Sequence, residues 1–257
     1  MSTQKTETKA KPIWVDLAAA DVKKAADFYS HLFGWEADFD LGPDAGGYGI
    51  FRLGGQDVAG IGPLQSEGQP TAWSIYIGSD DADAVADRVK AAGGNVIAPP
   101  FDVLDQGRMA VFQDPLGAFF SVWQPTKMAG AGVTGQPGSL GWAELNARGV
   151  GETKPFYKTV FGWGAKEGQA PAEGMPPYIE WQLAGESVAG GMEMPPMVPA
   201  EVPSFWLAYF SVADVDATTQ KVEELGGRVS MQPMDYPGGR FSVVQDPQGA
   251  TFALMSS

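Results

Sequence analysis

The 257-residue chain contains no cysteine and a single histidine, His31. Without thiols there is no disulfide, no thiolate nucleophile, no iron–sulfur cluster and no cysteine-based zinc site. One imidazole also excludes histidine-rich metal centres and a repeated Ser-His-Asp triad. Basic residues are scarce: 17 Lys plus Arg stand against 31 Asp plus Glu, a formal charge of −14. Such a surface repels phosphate backbones and anionic lipid, so neither nucleic acid nor a membrane is an expected partner. No apolar run approaches the ~20 residues needed to cross a bilayer. The first eleven residues are polar and lack the apolar stretch of a secretory signal, so a flexible tail over 1–11 and a cytoplasmic location are expected. Apolar residues make up 44% and charged ones 19%, an ordinary globular balance.

What the chain does have is an internal copy of itself. Phe28-Tyr29-Ser30-His31-Leu32-Phe33-Gly34-Trp35 returns as Phe156-Tyr157-Lys158-Thr159-Val160-Phe161-Gly162-Trp163. Val58-Ala59-Gly60 returns as Val188-Ala189-Gly190, and Gly107-Arg108 as Gly239-Arg240. Gln113-Asp114-Pro115-Leu116-Gly117-Ala118 returns as Gln245-Asp246-Pro247-Gln248-Gly249-Ala250. The order is kept along the whole chain, and a period this long means tandem domains, not a solenoid. The expected domains are 12–125 and 139–257. The stretch between them, 126–138, is rich in Gly and Ala and has linker composition.

Each copy is doubled again. Trp14-Val15-Asp16-Leu17 reads as a short strand, followed by a cap at Asp21 and an amphipathic helix over Val22–Leu32 that stops at Gly34. Trp73-Ser74-Ile75-Tyr76-Ile77 leads in the same way to a helix over Ala82–Ala92. Short apolar strands follow each helix: Gly49–Leu53, Asp57–Pro63, Asn95–Ala98, Met109–Gln113 and Ala118–Trp123. The second copy starts its modules at Trp142 and Trp206, with helices over Glu152–Phe161 and Val215–Leu225. The pattern β-α-β-β-β, written four times, predicts an α+β fold with helices outside a mostly antiparallel sheet.

A strand bearing Asp, a helix closing on Phe-Tyr and Gly-Trp, and a late Asp-Pro-x-Gly turn resemble the vicinal oxygen chelate superfamily of glyoxalases, ring-cleaving dioxygenases and bleomycin-resistance proteins. The tandem arrangement looks most like its two-domain, glyoxalase-like or hydroxylase-labelled actinobacterial-type subgroup. The resemblance implies paired βαβββ modules curling into a half-barrel around a small-molecule cleft. It also implies four metal-ligand positions, usually His and Glu. Here they hold Trp14 and Trp142; Phe51 and Glu180 or Trp181; Trp73 or Ser74 and Trp206 or Leu207; Ser121 and Ala253. Indole, methyl and aliphatic groups offer no lone pair to a divalent cation, so no metal cofactor is expected. A non-standard metal set including Glu180 is the alternative.

The remaining candidates are aromatic and charged. Strand alternation puts Trp14 with Asp16, and Trp142 with Glu144, on one face. An aromatic wall beside a carboxylate suits an organic ligand, or an acid–base role for Asp16 and Glu144. The other reading is a core indole beside a capping carboxylate. Arg108 and Arg240 are either anion clamps or loop pins paired with a carboxylate such as the Asp of Asp-Pro-x-Gly. Trp73, Tyr76, Trp206 and Tyr209, on second-module strands, are ligand-facing or packing residues. The acidic residues before the second-module helices (Asp80, Asp81, Asp83; Asp214, Asp216) read as caps. His31 reads as a surface or helix-packing residue. The Met- and Pro-rich stretches Ala170–Pro177 and Met192–Pro203 read as soft rims or contacts. A protein that binds a small organic molecule without the family's metal is expected, as monomer or homodimer. A lyase- or hydroxylase/dioxygenase-like enzyme and an interaction protein with vestigial clefts are the alternatives.

Overall fold

The structure, a computed structural model, describes residues 10–170, 174, 176–196 and 198–256. The first module is β1 (Pro12–Ala19), α1 (Val22–Phe33), β2 (Glu36–Asp38), β3 (Gly49–Leu53) and β4 (Gln56–Pro63). The second is β5 (Ala72–Gly78), α2 (Ala82–Ala91), β6 (Asn95–Val103), β7 (Gly107–Gln113) and β8 (Phe119–Pro125). The third is β9 (Leu140–Ala147), α3 (Lys154–Phe161), β10 (Gly164–Glu167), β11 (Ile179–Leu183) and β12 (Glu186–Glu193). The fourth is β13 (Phe205–Ser211), α4 (Val215–Glu224), β14 (Arg228–Tyr236), β15 (Gly239–Gln245) and β16 (Thr251–Ser256). The fourfold βαβββ reading holds. The short strands β2 and β10, three and four residues long, had too little pattern to be seen in sequence.

Two open eight-stranded sheets result, in the orders β2-β3-β4-β1-β5-β8-β7-β6 and β10-β11-β12-β9-β13-β16-β15-β14. They are mixed. Neighbours that follow one another in sequence pair antiparallel, while each module's last strand returns parallel to its first. A helical crossover between first and last strand permits that parallel return.

Sheet membership follows the two sequence copies, but packing does not. The chain divides into two compact units, one of residues up to Ile13 with Tyr76–Ala129 and Glu144–Trp206, the other of Trp14–Ile75, Gly130–Ala143 and Leu207–Ser257. Each unit therefore draws one module from each copy.

Within the second unit the Tyr29 phenol, on α1, donates to Asp246 Oδ2 at 3.1 Å and accepts from Trp73 Nε1 at 3.0 Å. Asp246 Oδ1 accepts from the backbone N–H groups of Gln248 and Ala250. Within the first unit Tyr157, on α3, donates to Asp114 Oδ2 at 2.9 Å and accepts from Trp206 Nε1 at 3.1 Å. Asp114 Oδ1 holds Leu116 and Ala118. The Asp-Pro-x-Gly repeat thus does two jobs at once: it ties its own turn and receives the helix tyrosine of the other copy. Burial pushes both tyrosines up from their ordinary value, and the facing carboxylate adds to the shift. Burial likewise raises Asp114 and Asp246 against the opposing effect of their hydrogen bonds. Aromatic rings complete both cores, with Trp35, Phe51, Phe210 and Phe252 around Tyr29 and Trp73, and Trp163, Trp181 and Phe120 around Tyr157.

One core exchange links the copies. Phe51 and Ile61 of the first copy stand where the second has Trp181 and Gly191. A Cβ on Gly191 would meet Trp181 Nε1 at 3.0 Å and Val150 Cγ2 at 3.2 Å. The larger indole occupies the volume that the isoleucine fills elsewhere.

Asp21, Asp81 and Asp214 cap α1, α2 and α4 by accepting from the backbone N–H groups of Lys24, Ala84 and Ala217. His31 lies on α1, its Nδ1 2.6 Å from Asp27 O. Of the expected tail, residues 1–9 lie outside the described residues. Ala10 O accepts from Trp163 Nε1, and Lys11 O from Gly78 N. Met197 and part of Ala170–Pro177 also lie outside the described residues. Met194 is buried, and Arg148 donates to the carbonyls of Val198, Pro199 and Val202, which fixes the proline-rich segment before β13. No helix among the described residues is long and apolar enough to cross a membrane.

Candidate functional site on the open sheet faces

Strand alternation gives each sheet a helix-packed face and an open face. On β1, Val15, Leu17 and Ala19 are buried on the helix side, so Trp14 and Asp16 stand on the open side. Asp16 lies opposite Gly60 of β4. Across that glycine lies Tyr48, whose hydroxyl would sit 1.8 Å from a Cβ on Gly60. Only glycine lets the ring lie down on the sheet. Trp14 Nε1 donates to Tyr48 OH at 3.2 Å, and the hydroxyl is hydrogen-bonded to the Asp16 carboxylate. Burial pushes the Tyr48 phenol well above its ordinary range, and the Asp16 charge pushes it further. Tyr48 therefore stays protonated and serves as a donor, not as a base.

The second copy keeps the place and changes the chemistry. Trp142, Glu144 and Asn146 share the open side of β9. Glu144 is only 4% exposed and accepts from Asn146 Nδ2 at 3.1 Å. Register places Glu180, Gly190 and Glu144 in one cross-strand row. Glu180 is already engaged by Ser187 Oγ at 2.8 Å and Lys166 Nζ at 3.2 Å, and these two partners hold its pKa below the usual glutamate value. Sequence reading missed Tyr48 and Asn146. The repeat carried one usable signal, since Tyr48 and Tyr178 both lie three residues before a core aromatic, Phe51 or Trp181.

On β6–β8 the open side is built from three cross-strand rows: Phe101–Met109–Trp123, Ala98–Val111–Ser121 and Asn95–Gln113–Phe119. Tyr76 joins the middle row through its pairing with Ser121. The matching rows on β14–β16 are Met234–Phe241–Met255, Met231–Val243–Ala253 and Arg228–Gln245–Thr251, with Tyr209 beside Ala253.

Four of the expected ligand residues lie on the wrong side for a ligand on these faces. Trp73 and Trp206 are buried in the helix-side cores, bonded to Tyr29 and Tyr157 as described. Each lies three residues before Tyr76 or Tyr209 on its strand, so alternation puts them on opposite faces, a separation by parity that composition alone does not reveal. Arg108 grips Asp83 of α2 with Nε and Nη2 at 2.8 and 3.0 Å, and Asp102 with Nη1 at 2.9 Å. Arg240 does the same to Asp216 of α4 and to Asp235. Both guanidiniums pin a helix start to a hairpin. Their partners are not the Asp-Pro-x-Gly carboxylates, which the helix tyrosines occupy. Trp14, Asp16, Tyr76, Trp142, Glu144, Glu180 and Tyr209 remain on the open side.

A family model for the "Glyoxalase/Bleomycin resistance protein/Dioxygenase superfamily" matches residues 11–122 and 139–254. The chain belongs to that superfamily. Among its relatives is the anthracycline biosynthesis protein DnrV of Streptomyces peucetius, 42% identical, with 95% of this chain and 92% of DnrV covered. The Mycobacterium tuberculosis protein CFP32, whose name assigns it provisionally to the glyoxylases, is 40% identical, with 95% of this chain and 94% of that protein covered. Solved structures share the fold at low identity. The 2,3-dioxygenase LapB of Pseudomonas sp. KL28 superposes with a TM-score of 0.66 at 14% identity, covering 97% of this chain and 93% of LapB. The Mn(II)-bound glyoxalase of Novosphingobium aromaticivorans gives 0.66 at 18% identity, covering 96% of this chain and 82% of its own.

The superfamily's metal does not fit the residues present here. The positions that the resemblance assigns to ligands carry indoles, Ser121 or Ala253, and the one carboxylate, Glu180, is held by Lys166 and Ser187. Among the described residues no three His, Cys, Asp or Glu side chains come together as a metal-holding group. The donor set is wrong for a divalent ion, which needs several oxygen or imidazole lone pairs.

Proposed function

We propose that the protein is a small-molecule-binding member of the superfamily that holds a neutral, partly aromatic organic compound on its open sheet faces without a divalent metal. The observation that carries this reading is the Trp14–Tyr48–Asp16 network. It sets one acceptor and one donor into an aromatic wall over a glycine floor, and a few fixed polar groups in an apolar surface are what orient an organic ligand. The Tyr48 hydroxyl and the Asp16 carboxylate can exchange their mutual bond for bonds to a ligand hydroxyl or carbonyl at little net cost. Two relatives named for anthracycline biosynthesis support a polycyclic aromatic compound as the kind of ligand.

A second reading is a lyase- or hydroxylase-like enzyme in which Asp16 or Glu144 moves a proton. The deep burial of Glu144 against Asn146 favours it, because catalytic carboxyls are commonly withdrawn from solvent.

Elemental analysis of untagged protein, with thermal-shift titrations against Zn, Ni, Mn, Co and Fe(II), tests the metal-free part. The expected result is no stoichiometric metal and no specific shift; a bound metal overturns it. Titration of the wild type, Asp16→Asn and Tyr48→Phe with a neutral hydroxyanthraquinone tests the ligand part. Saturable binding weakened by both variants supports the first reading, and metal-free turnover lost in Asp16→Asn or Glu144→Gln supports the second.

A further inference from the structure

We propose that the proline-rich segment Val198–Ser204 is a lid over the Glu144–Asn146 end of the third module's open side, latched shut by Arg148. This rests on the reading that the open faces take small molecules, and adds that access to one of them is gated. Every residue involved lies in the first unit.

Glu144 and Asn146 are 4% and 5% exposed, although alternation puts them on the open side of β9. Their counterparts on β1, Asp16 and Ala18, are half-buried. The second copy's row is covered where the first copy's is not. Arg148 continues the parity of Glu144 and Asn146, and Met192 pairs with Asn146 on the same side. The Arg148 guanidinium leaves the end of β9 and donates to Val198 O at 3.1 Å, Pro199 O at 2.7 Å and Val202 O at 2.7 Å. The segment it holds is thus brought to the side on which Glu144 stands. The first copy has Ala20 in place of Arg148 and a shorter, mostly polar connection, Leu64–Thr71.

The segment is built as a lid is. Val198 and Val202 are half-buried, while Pro199, Ala200, Glu201 and Pro203 are exposed, so it has an apolar inner side and a wet outer one. Two turns stiffen it, with Val198 N donating to Pro195 O and Val202 N to Pro199 O. Its roots are fixed: Met194 is buried and donates its N–H to Ala147 O, and Ser204 is buried. The latch is fixed too, because the Glu193 carboxylate accepts from the Gly149 and Val150 N–H groups at 2.8 and 3.0 Å, directly after Arg148. Among the described residues, only Arg148 hydrogen-bonds the middle of the segment to the rest of the unit. One of its three bonds is exposed, so water competes for it, and a segment with so few ties opens locally before the core does.

The test is carboxyl labelling of the full chain with a water-soluble carbodiimide and glycinamide, read by peptide mass spectrometry, alongside hydrogen exchange. Exposed Glu186 is the internal standard, and Asp114, 1% exposed in the same unit, reports global opening. In the wild type Glu144 should label far more slowly than Glu186. Arg148→Gln should label Glu144 about tenfold faster, the effect on local opening of one lost hydrogen bond from a charged donor, with Glu186 and Asp114 unchanged. The double variant Val198→Ser with Val202→Ser, which weakens the inner side and keeps the latch, should shift Glu144 in the same direction. Hydrogen exchange over 198–204 should rise in step. Unchanged Glu144 labelling in both variants overturns the lid, and so does a rise shared equally by Asp114, because the unit then opens as a whole. Saturating 1,4-dihydroxyanthraquinone should slow Glu144 labelling in Arg148→Gln. A rise that this compound does not slow keeps the lid and overturns the reading of this face as a ligand surface.

Discussion

The helix-packed faces of the two copies are near duplicates, and their open faces are not. On the helix side, Trp73–Tyr29–Asp246 and Trp206–Tyr157–Asp114 repeat the same donors, acceptors and distances. Arg108 and Arg240 repeat the same three-bond grip on a helix start. On the open side, Asp16 with Tyr48 stands against Glu144 with Asn146, Phe119 against Thr251, Phe101 against Met234 and Ser121 against Ala253. Packing and buried hydrogen bonds fix the first set, because a lone change there strands a polar group or opens a cavity. On the helix side the Phe51–Ile61 and Trp181–Gly191 exchange keeps its chemistry apolar, whereas the changes on the open faces alter polar groups.

The comparison can be broken first at the indoles. Trp73→Ala and Trp206→Ala should each cost about 3–5 kcal/mol, by lost burial and by leaving a tyrosine hydroxyl short of its donor. Thermal or urea unfolding checks this; a large loss in one and none in the other breaks the equivalence. Trp14→Ala would also destabilise, since Trp14 is 3% exposed, so binding is better probed with Trp14→Phe, which removes only the donor to Tyr48.

The hydroxyls come next. Tyr29→Phe and Tyr157→Phe should lose about 1–3 kcal/mol each, because Asp246 or Asp114 and the indole N–H then lose a buried partner. Of similar size is the core exchange. Gly191→Ile alone should overpack the indole and cost about 1–3 kcal/mol, and Trp181→Phe in the same chain should recover much of it by restoring the first copy's pair. Trp181→Phe gives up no hydrogen bond among the described residues, where Trp181 Nε1 has no partner. A double-mutant cycle with no coupling would refute the account of the swap.

The smallest effect concerns acid. The Arg108 and Arg240 hydrogen bonds hold the pKa values of Asp83 and Asp216 below the ordinary 3.8. A depressed carboxylate stabilises the folded state above its unfolded value, and that contribution fades as pH falls through the depressed one. Arg108→Gln and Arg240→Gln should therefore lower the neutral plateau slightly and equally and leave the acid end unchanged, so that the acid limb flattens. Asp114 and Asp246 act with the opposite sign. Burial raises them, so their contribution is complete below 3.8 and is lost as pH rises through the raised value.

Much of this architecture was legible because repetition amplifies local signals. The four helices, the Asp caps of three of them and the Gly34 stop follow from spacing, and the strand Gly49–Leu53 was read to the residue. The repeated Asp-Pro-x-Gly announced a turn but not its second function, because the partner tyrosine lies in the other copy, beyond any local pattern. Parity separates Trp73 and Trp206 from Tyr76 and Tyr209: an odd step of three residues puts each indole on the face opposite its tyrosine. Arg108 and Arg240 were visible as a pair, while their partners depended on the helix-side packing of Asp83 and Asp216. Tyr48 escaped attention because its position is set by what it lies upon, the missing side chain of Gly60.

The most direct test of the division between the faces pairs two carboxylates in one experiment. Asp16→Asn and Asp246→Asn are each titrated with 1,4-dihydroxyanthraquinone and melted without ligand. The account expects Asp16→Asn to weaken binding about tenfold with little change in melting temperature, as for one lost charge-assisted bond to ligand. It expects Asp246→Asn to lower the melting temperature while binding stays at the wild-type level in the folded range. The reverse pattern, or one in which both variants lose binding and stability together, would contradict it.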